Sequence, residues 1–333
     1  MPENYDVLAI GNAILDVVGR CDDALLNALG AAKGHMSLVE SSSRIAAIQA
    51  SLRSWLELSG GSAANTAVGV ASLGGRAAFI GKVAEDECGR IFRHDIRGIG
   101  VEFKTPPTLL ANKQTSRSII LVTPDGARTM TTCLGCSADL DSAAIDPVAI
   151  KSAGILLLEG YLFDKPHAKS ALYRAGSLGR ASRKIVALTL PDSFCIDRHR
   201  REFLDLIRSG LQLLIANESE ILSLYQTNSF DSAVSQVRRD VALAALTRSK
   251  KGSVIVSRGD CTNIPPEQVH KVVDMTGAGD FYAAGLLYGL SQGMTMMAAG
   301  RLGSFAASEV ICNLGARPKT NLSHLARLRG LIH

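Results

Sequence analysis

Residue types suited to phosphoryl transfer meet in one short segment, Val273–Gly285, which reads V-D-M-T-G-A-G-D-F-Y-A-A-G. Gly277, Ala278 and Gly279 form a loop, and Asp280 opens a helical pattern. Glycines let backbone N–H groups approach an anion, and a helix N-terminus adds a partial positive charge. The loop amides can hold charge on a transferred phosphoryl group while Asp280 accepts a hydroxyl proton. The alternative is that Asp280 only caps the helix.

Two better-known phosphate loops are missing from the sequence. The segment R76-A-A-F-I-G-K-V83 has Arg where the first glycine of G-x-x-x-x-G-K-[ST] is needed, and Val at its end. Tyr282 occupies the third glycine position of G-x-G-x-x-G. These departures argue against a P-loop NTPase and leave a nicotinamide dehydrogenase a distant alternative.

A second group of polar residues follows the first predicted strand. Asn12 and Asp16 lie in G11-N-A-I-L-D16, at the strand's carboxyl end, where open α/β sheets bind ligands. The Asp16 carboxylate can accept hydrogen bonds from two adjacent sugar hydroxyls. The alternative is a solvated turn aspartate.

A glycine pair supplies a third candidate contact region, at Gly60 and Gly61. The pair permits close backbone approach to a ligand, Ser62 can cap the following helix, and Asn65 can offer its amide to a substrate hydroxyl. A capped turn without a ligand would need the same residues. Asn217 with Glu220 has the spacing of a capping box.

The composition excludes several classes of protein. The chain has 333 residues, of which 47% are hydrophobic and 20% charged, so it can bury a large core. The formal charge is +5 without a long basic run, which favours a phosphorylated small ligand over nucleic acid. We find no signal peptide or apolar span, and the 7 scattered cysteines favour a reduced, cytoplasmic protein without membrane contact. Cys133 and Cys136 form an isolated C-x-x-C, which is weak support for a metal or redox site.

Apolar β-rich runs alternate with helical patterns along the chain. The predicted strands are Val7–Gly11, Ala77–Val83, Ser118–Thr123, Gly154–Glu159, Ile185–Leu190, Leu211–Ala216, Gly252–Ser257 and Lys271–Val273. The predicted helices are Ser62–Leu73, Gly89–Ile99, Ala168–Leu178, Asp197–Ser209, Glu218–Tyr225, Asp231–Leu246, Ala278–Ser291 and Met296–Val310. This alternation predicts an α/β fold with a doubly wound, mostly parallel sheet. Residues 16–40 and 108–135 break the rhythm and predict a small β lid, with a hairpin turn at T123-P-D-G126.

Two long motifs resemble signatures of one family. D274-M-T-G-A-G-D280 is similar to the C-terminal signature of the ribokinase-like (PfkB) sugar and nucleoside kinases, and S59-G-G-S-A-A-N-T66 with G69-V-A-S-L-G74 to their N-terminal signature. The resemblance runs over nearly the whole chain. It implies one Rossmann-like, three-layer kinase domain over 1–333 that uses ATP and Mg2+. Met275 departs from the family, which often has a small residue there.

The resemblance also implies site roles. Asp280 is the catalytic base and Gly277, Ala278 and Gly279 form the anion hole. The implied substrate contacts are Asn12, Asp16, Gly60, Gly61, Ser62 and Asn65. The lid pattern itself adds Met36, Leu38 and Tyr161 as predicted contacts. Arg128, after the turn at Asp125 and Gly126, could reach over the substrate as the lid closes or be an exposed turn arginine. The implied ATP contacts are Asn217, Thr247, Gly252, Gly277, Gly279 and Asn313. Glu220 and Asn217 would hold Mg2+ through water, and Asp274 is where a monovalent cation such as K+ would bind.

The lid favours a purine nucleoside as phosphate acceptor. Its segments are apolar at Met36, Leu38 and Leu121, with Tyr161 nearby, which suits a flat base. The alternative is that these apolar residues form the core of the lid. The opening G-N-A-I-L-D also looks closer to adenosine kinases than to ribokinases. We therefore expect adenosine to be converted to AMP by a monomer or homodimer. The alternatives are a kinase of ribose, fructose or another small sugar, and a catalytically silent nucleoside-binding protein.

Overall fold

The computed structural model describes residues 4–109 and 113–333. Residues 110–112, inside the second predicted lid range, lie outside the described residues. The strands of the described residues are β1 Tyr5–Ile10, β2 Ile14–Arg20, β3 Met36–Leu38, β4 Trp55–Gly60, β5 Ala77–Ile80, β6 Ser116–Val122, β7 Arg128–Cys133, β8 Ala153–Glu159, β9 Ile185–Thr189, β10 Leu213–Asn217, β11 Leu243–Thr247, β12 Ser253–Ser257 and β13 Cys261–Ile264.

Helices connect most of these strands. The α-helices are α1 Asp23–Leu29, α2 Ser42–Ala50, α3 Ser62–Ser72, α4 Glu87–Gly98, α5 Pro147–Lys151, α6 Pro166–Ala181, α7 Ser193–Arg208, α8 Glu218–Tyr225, α9 Phe230–Asp240, α10 Ala278–Ser291, α11 Met296–Val310 and α12 Leu322–Leu328. Within the described ranges, no helix is long and apolar enough to cross a membrane.

The larger sheet has eight strands in the order β13-β12-β11-β10-β9-β8-β1-β5. All neighbours from β11 to β5 run parallel, and β12 pairs antiparallel with both β11 and β13. Buried residues of α3, α10, α11 and α12 form an apolar cluster on one face, and residues of α6 to α9 form another on the opposite face. The predicted doubly wound, three-layer α/β fold is therefore confirmed.

The second sheet has five strands in the order β3-β7-β6-β2-β4. The predicted turn joins β6 to β7, where Gly126 has a φ of 80° and its amide donates to the Thr123 carbonyl over 2.9 Å. One face packs against α1 and α2 through a buried cluster that includes Val17, Ile45 and Ile119. The other face carries Val18 and Ile120 towards Leu314 of the main layer. We call this sheet with α1 and α2 the lid.

Three predictions from the sequence were wrong. The predicted helix Asp231–Leu246 ends at Asp240, and its last residues belong to β11, because a short apolar run fits a helix or a buried strand equally well. Residues 271–273 form no strand, and the Val273 amide donates to the Ile311 carbonyl instead. The segment from Asp16 to Ser37 contains α1 as well as strands, and β4 was not predicted.

Candidate active site

The loop that was predicted to bind the phosphoryl group leads into a helix that begins before Asp280, at Ala278. Gly277 precedes α10 with a φ of 80°, a left-handed conformation that favours glycine. No side chain caps this helix, and Asp280 lies in its first turn with its carboxylate turned towards α3. The interpretation of Asp280 as a helix cap is therefore wrong. The first-turn amide of Gly279 has no intrahelical acceptor, as an anion site requires, whereas the Ala278 amide donates to the Met275 carbonyl over a long 3.3 Å.

Small residues let α10 approach its neighbours closely. A Cβ added at Gly69 of α3 would lie 2.5 Å from the Ala284 Cβ, and one at Gly285 would lie 2.7 Å from the Gly303 Cα of α11. Buried residues of all three helices belong to one apolar cluster. This close packing holds the first turn of α10 against the first turn of α3.

The Asp280 carboxylate accepts two hydrogen bonds from α3. Ser62 Oγ donates to Oδ1 over 2.7 Å, and Asn65 Nδ2 donates to Oδ2 over 2.9 Å. Ser62 was predicted to cap α3, which is wrong, because the N-cap is Gly61 and no side chain caps there. The signature before α3 thus contributes to the same site as the C-terminal signature.

Asp16 lies on β2 of the lid rather than on the main sheet. It is 6% exposed, and among the described residues no donor is hydrogen-bonded to its carboxylate. A Cβ at Gly60 would collide with this carboxylate, and one at Gly61 would collide with the Asn12 carbonyl. The glycine pair is thus required by contacts within the protein, while the Asp16 carboxylate keeps its acceptor capacity for another group.

Both carboxylates have raised pKa values. Burial raises the pKa of Asp16 to about 7, with Arg317 opposing the shift and Asp280 adding to it. Burial also raises the pKa of Asp280, while the bonds from Ser62 and Asn65 and the charges of Arg128 and Arg317 oppose the rise. A carboxylate with a raised pKa is a better proton acceptor at neutral pH.

Glu159, at the end of β8, was missed by the sequence analysis. It is 1% exposed and accepts from the Asn12 amide over 3.1 Å, Asn12 Nδ2 over 2.9 Å and the Ala63 amide over 2.8 Å. Burial raises its pKa to about 7 against the effect of these bonds. Asn12 therefore turns its amide nitrogen to Glu159. The signal was a carboxylate that ends the apolar run Ile155–Leu158.

Arg317 was also missed. It follows α11 and reaches Asn65, Ser59 and Asp95, which lie on α3, β4 and α4. No local pattern marked it, since its partners lie more than 200 positions earlier in the chain.

Asn217 and Glu220 form the predicted capping box of α8. The Asn217 side chain accepts from the Glu220 amide over 2.9 Å, and Glu220 Oε2 accepts from the Asn217 amide over 2.8 Å. Burial raises the pKa of Glu220 to about 8, and the charges of Asp192 and Asp280 add to the rise. A cation would offset this accumulation of carboxylates, so the donor set fits hydrated Mg2+, which prefers oxygen ligands.

Two of the predicted ATP contacts, Thr247 and Gly252, lie at the turn between β11 and β12. Thr247 ends β11 and pairs with Ser253. Gly252 has a φ of 81°, and a Cβ there would collide with the Ile264 carbonyl. Arg248 is held by Glu218 over 2.7 Å and by the Phe230 ring at 3.8 Å. Asn313 lies beyond α11, where its Nδ2 donates to the Glu309 carbonyl over 3.0 Å.

Asp274 anchors the catalytic loop to the segment after α11. It is fully buried and accepts from the Thr276 amide over 2.9 Å, Thr276 Oγ1 over 2.6 Å and the Gly315 amide over 2.8 Å. These three hydrogen bonds account for the burial of Asp274 without a cation, so the cation site stays a prediction. Met275 beside it is 48% exposed.

The predicted lid contacts differ in their surroundings. Arg128 begins β7, and its charge acts on both Asp16 and Asp280. Tyr161 follows β8, and its hydroxyl accepts from the Asp192 amide over 3.1 Å. Met36 is half-buried on edge strand β3, and Leu38 is 48% exposed.

The two cysteines of the C-x-x-C segment point to different carbonyls. Cys133 Sγ lies 3.6 Å from the Glu40 oxygen, and Cys136 Sγ lies 3.8 Å from the Lys82 oxygen. In the described part of the chain, the side chains close enough for a metal are instead Asp164, Cys195 and His199. Arg198 already binds Asp164 over 2.9 Å in that cluster.

Comparisons with known proteins identify the family of this chain. Residues 28–322 match the model of the pfkB family carbohydrate kinases. The structure of an adenosine kinase from Sinorhizobium meliloti superposes with a TM-score of 0.93 at 45% identity, covering 98% of this chain and 99% of that one. A probable sugar kinase from Rhizobium etli CFN 42 gives a TM-score of 0.95 at 43% identity, covering 99% and 100%. A fructokinase from Klebsiella pneumoniae is 30% identical over 71% of this chain and 78% of its own. This chain therefore belongs to the pfkB family of carbohydrate kinases and is a phosphotransferase.

Proposed function

We propose that this kinase transfers the γ-phosphoryl group of ATP to the 5′-hydroxyl of adenosine, giving AMP and ADP. The observation that carries the proposal is the Asp16 carboxylate, buried in the lid without a protein donor. The vicinal 2′- and 3′-hydroxyls of a ribose could both donate to this carboxylate. The resemblance at 45% identity to a structure of an adenosine kinase supports the same acceptor.

In this proposal Asp280 acts on the attacking hydroxyl. The 5′-oxygen forms a bond to the γ-phosphorus, the bond from that phosphorus to the β–γ bridging oxygen breaks, and ADP leaves. The hydroxyl proton moves to Asp280, which Ser62 and Asn65 hold in place. The amides of Ala278 and Gly279 stabilise the charge on the transferred group.

The residues proposed to bind the metal and the nucleotide include Asn217 and Thr247, which end the neighbouring strands β10 and β11. Glu220 and Asn217 would hold Mg2+ through its waters, and this ion would neutralise phosphate charge during transfer. Thr247, Gly252 and Asn313 would contact ATP. Arg128 would close over the substrate from the lid, since its charge already acts on Asp16 and Asp280.

A sugar kinase is the second candidate. Similarity to a probable sugar kinase at 43% identity and to a fructokinase at 30% identity favours it, and a free sugar would also supply hydroxyls to Asp16. We favour the nucleoside, because Met36 of the lid and Tyr161 after β8 suit a flat base, whereas a sugar needs more polar partners.

The test measures ADP release from ATP and Mg2+ with adenosine, inosine, guanosine, ribose, fructose or no acceptor. Turnover with adenosine alone supports the proposal. Turnover with a free sugar instead would retain Asp280 as the base and reject the purine lid. No turnover, combined with adenosine binding by calorimetry, would point to a silent nucleoside-binding protein. Repeating the assay with and without K+ tests the cation site at Asp274.

A further inference from the structure

The Arg317 guanidinium forms hydrogen bonds with residues of three separate elements, α3, β4 and α4. Its side chain is 14% exposed, although it carries a charge that normally requires water. Nη1 donates to Asn65 Oδ1 over 3.1 Å. Nη2 donates to the Ser59 carbonyl, to Ser59 Oγ over 2.7 Å and to Asp95 Oδ2 over 3.2 Å. The guanidinium thus joins the catalytic layer to strand β4 of the lid.

The bond to Asn65 decides which way its amide points. An amide has a donor end and an acceptor end of nearly the same shape, so its partners set its orientation. Arg317 can only donate, so Oδ1 of Asn65 must face Arg317 and Nδ2 must face Asp280. The reverse orientation would bring an oxygen against the Asp280 carboxylate.

The charge of Arg317 lies among several carboxylates. Asp16 of β2, Glu159 of β8 and Glu220 of α8 are all coupled electrostatically to Asp280. Among the described residues, the cations that favour the ionised form of Asp280 are Arg128 of the lid and Arg317. Arg128 belongs to the lid hairpin, whereas Arg317 is fixed by Ser59 and Asp95.

We infer that Arg317 is a positioning residue for phosphoryl transfer, which orients the Asn65 amide towards Asp280 and holds a fixed positive charge near the Asp280 carboxylate. This inference rests on the proposed role of Asp280 as the base. It also explains why the guanidinium fork is needed. Lysine has one compact charge and cannot hold Asn65, Ser59 and Asp95 in a fixed plane.

Two variants separate orientation from charge. Arg317→Met keeps the length of the side chain but removes both effects, and Arg317→Lys keeps the charge but removes the fork. Arg301→Met, an exposed position on α11, is the matched control. Arg317→Met leaves Asp95 without its cation, although the Ser59 amide and hydroxyl still donate to it over 2.7 and 2.6 Å. The double variant Arg317→Met with Asp95→Asn removes the uncompensated charge and guards against misfolding.

The first readout does not need turnover. A 13C NMR titration of the aspartate carboxyls, with Asp280→Asn to assign the signal, gives the protonation midpoint of Asp280. We expect Arg317→Met to move this midpoint to higher pH, and Arg317→Lys and Arg301→Met to leave it close to wild type. In kinetics, kcat should fall about 10- to 100-fold in the Met and Lys variants, with the KM for ATP nearly unchanged.

Each outcome bears on a definite part of the inference. An unchanged Asp280 midpoint in folded Arg317→Met, or in the double variant, would overturn the electrostatic role. Wild-type kcat in Arg317→Lys would overturn the orienting role. If the wild-type protein phosphorylates no acceptor, the proposed function fails, and the NMR titration still decides whether Arg317 controls Asp280.

Discussion

At the scale of single residues, the site separates two carboxylates by their partners. Asp280 is held by two donors on α3, whereas Asp16 has no protein donor among the described residues. Burial raises the pKa of both groups. The difference in partners suits two tasks: a fixed proton acceptor and an anchor that waits for substrate hydroxyls.

Asp280→Asn should abolish turnover and retain substrate binding. The amide keeps the size of the side chain but cannot take a proton, so we expect kcat to fall about 10²- to 10⁴-fold. ADP release measures kcat, and calorimetry measures adenosine binding. Asp231→Asn, in the first turn of α9, is the control. A variant that turns over within a few-fold of wild type would show that Asp280 is not the base.

Two glycine variants should separate folding from catalysis. Gly277→Ala should lower the melting temperature, because the φ of 80° strains an alanine and its Cβ would lie 2.7 Å from the Ala316 Cβ. Gly279→Ala should melt like wild type, since the added methyl meets no described atom within 4 Å. Its kcat/KM should nevertheless fall about tenfold or more, because the methyl would stand beside the anion-binding amides. Wild-type activity in Gly279→Ala would contradict the anion hole.

At the scale of elements, the start of α8 combines a structural and a functional role. Asn217→Ala removes a capping side chain and should cost about 1 kcal/mol of unfolding free energy. Glu220→Gln keeps an oxygen for the Asn217 amide but loses the charge. We expect it to remain folded and to need about 10- to 100-fold more Mg2+ for half-maximal activity. Melting curves and Mg2+ titrations give both quantities, and an unchanged Mg2+ requirement in Glu220→Gln would reject the metal role.

The helices and strands show how much of the fold could be predicted from the sequence alone. Helices α8, α10 and α11 have the predicted bounds, because their periodic patterns are long or marked by glycine and capping residues. Most of strand β11 was included in a predicted helix, because its short apolar run has no periodicity that distinguishes a strand from a helix. Strand β4 was not recognised, since it exists through pairing with β2.

The candidate site could be predicted only in part, because several of its contacts join residues that are far apart in the sequence. Asp280 and Asn65 lie in recognisable signatures, and the structure places their side chains in contact. The partner of Ser62 could not be read locally, because helix packing brings Asp280 to it across 218 positions. Arg317 depends wholly on such long-range contacts.

At the scale of the whole molecule, three carboxylates from different elements lie close enough to Asp280 to interact with its charge. Burial raises the pKa of Asp16 and Glu159 to about 7 and that of Glu220 to about 8. Each group binds its proton more tightly in the folded than in the unfolded protein. In the absence of ligands, these groups therefore contribute most to the free energy of unfolding at low pH, where the carboxyl groups of the unfolded chain are still protonated.

We expect the free energy of unfolding, measured without Mg2+ and ATP, to fall as the pH rises from about 5 to 8. In that range the unfolded state loses protons that the folded state still holds, so the slope with pH is negative. Glu159→Gln should flatten the slope, and exposed Glu40→Gln should not. Urea unfolding at several pH values measures it, and a stability that is constant from pH 5 to 8 would refute the raised pKa values.

The route of the chain through the main sheet has a consequence for synthesis on the ribosome. Strand β1 lies between β5 and β8, so its second neighbour appears only after the whole lid has been made. Asn65 can form its hydrogen bonds only after Asp280 and Arg317 have been synthesised, 215 and 252 positions later. Nascent chains therefore leave one edge of β1 unpaired until β8, which ends at Glu159, has emerged. The site is assembled only when nearly all of the chain has emerged.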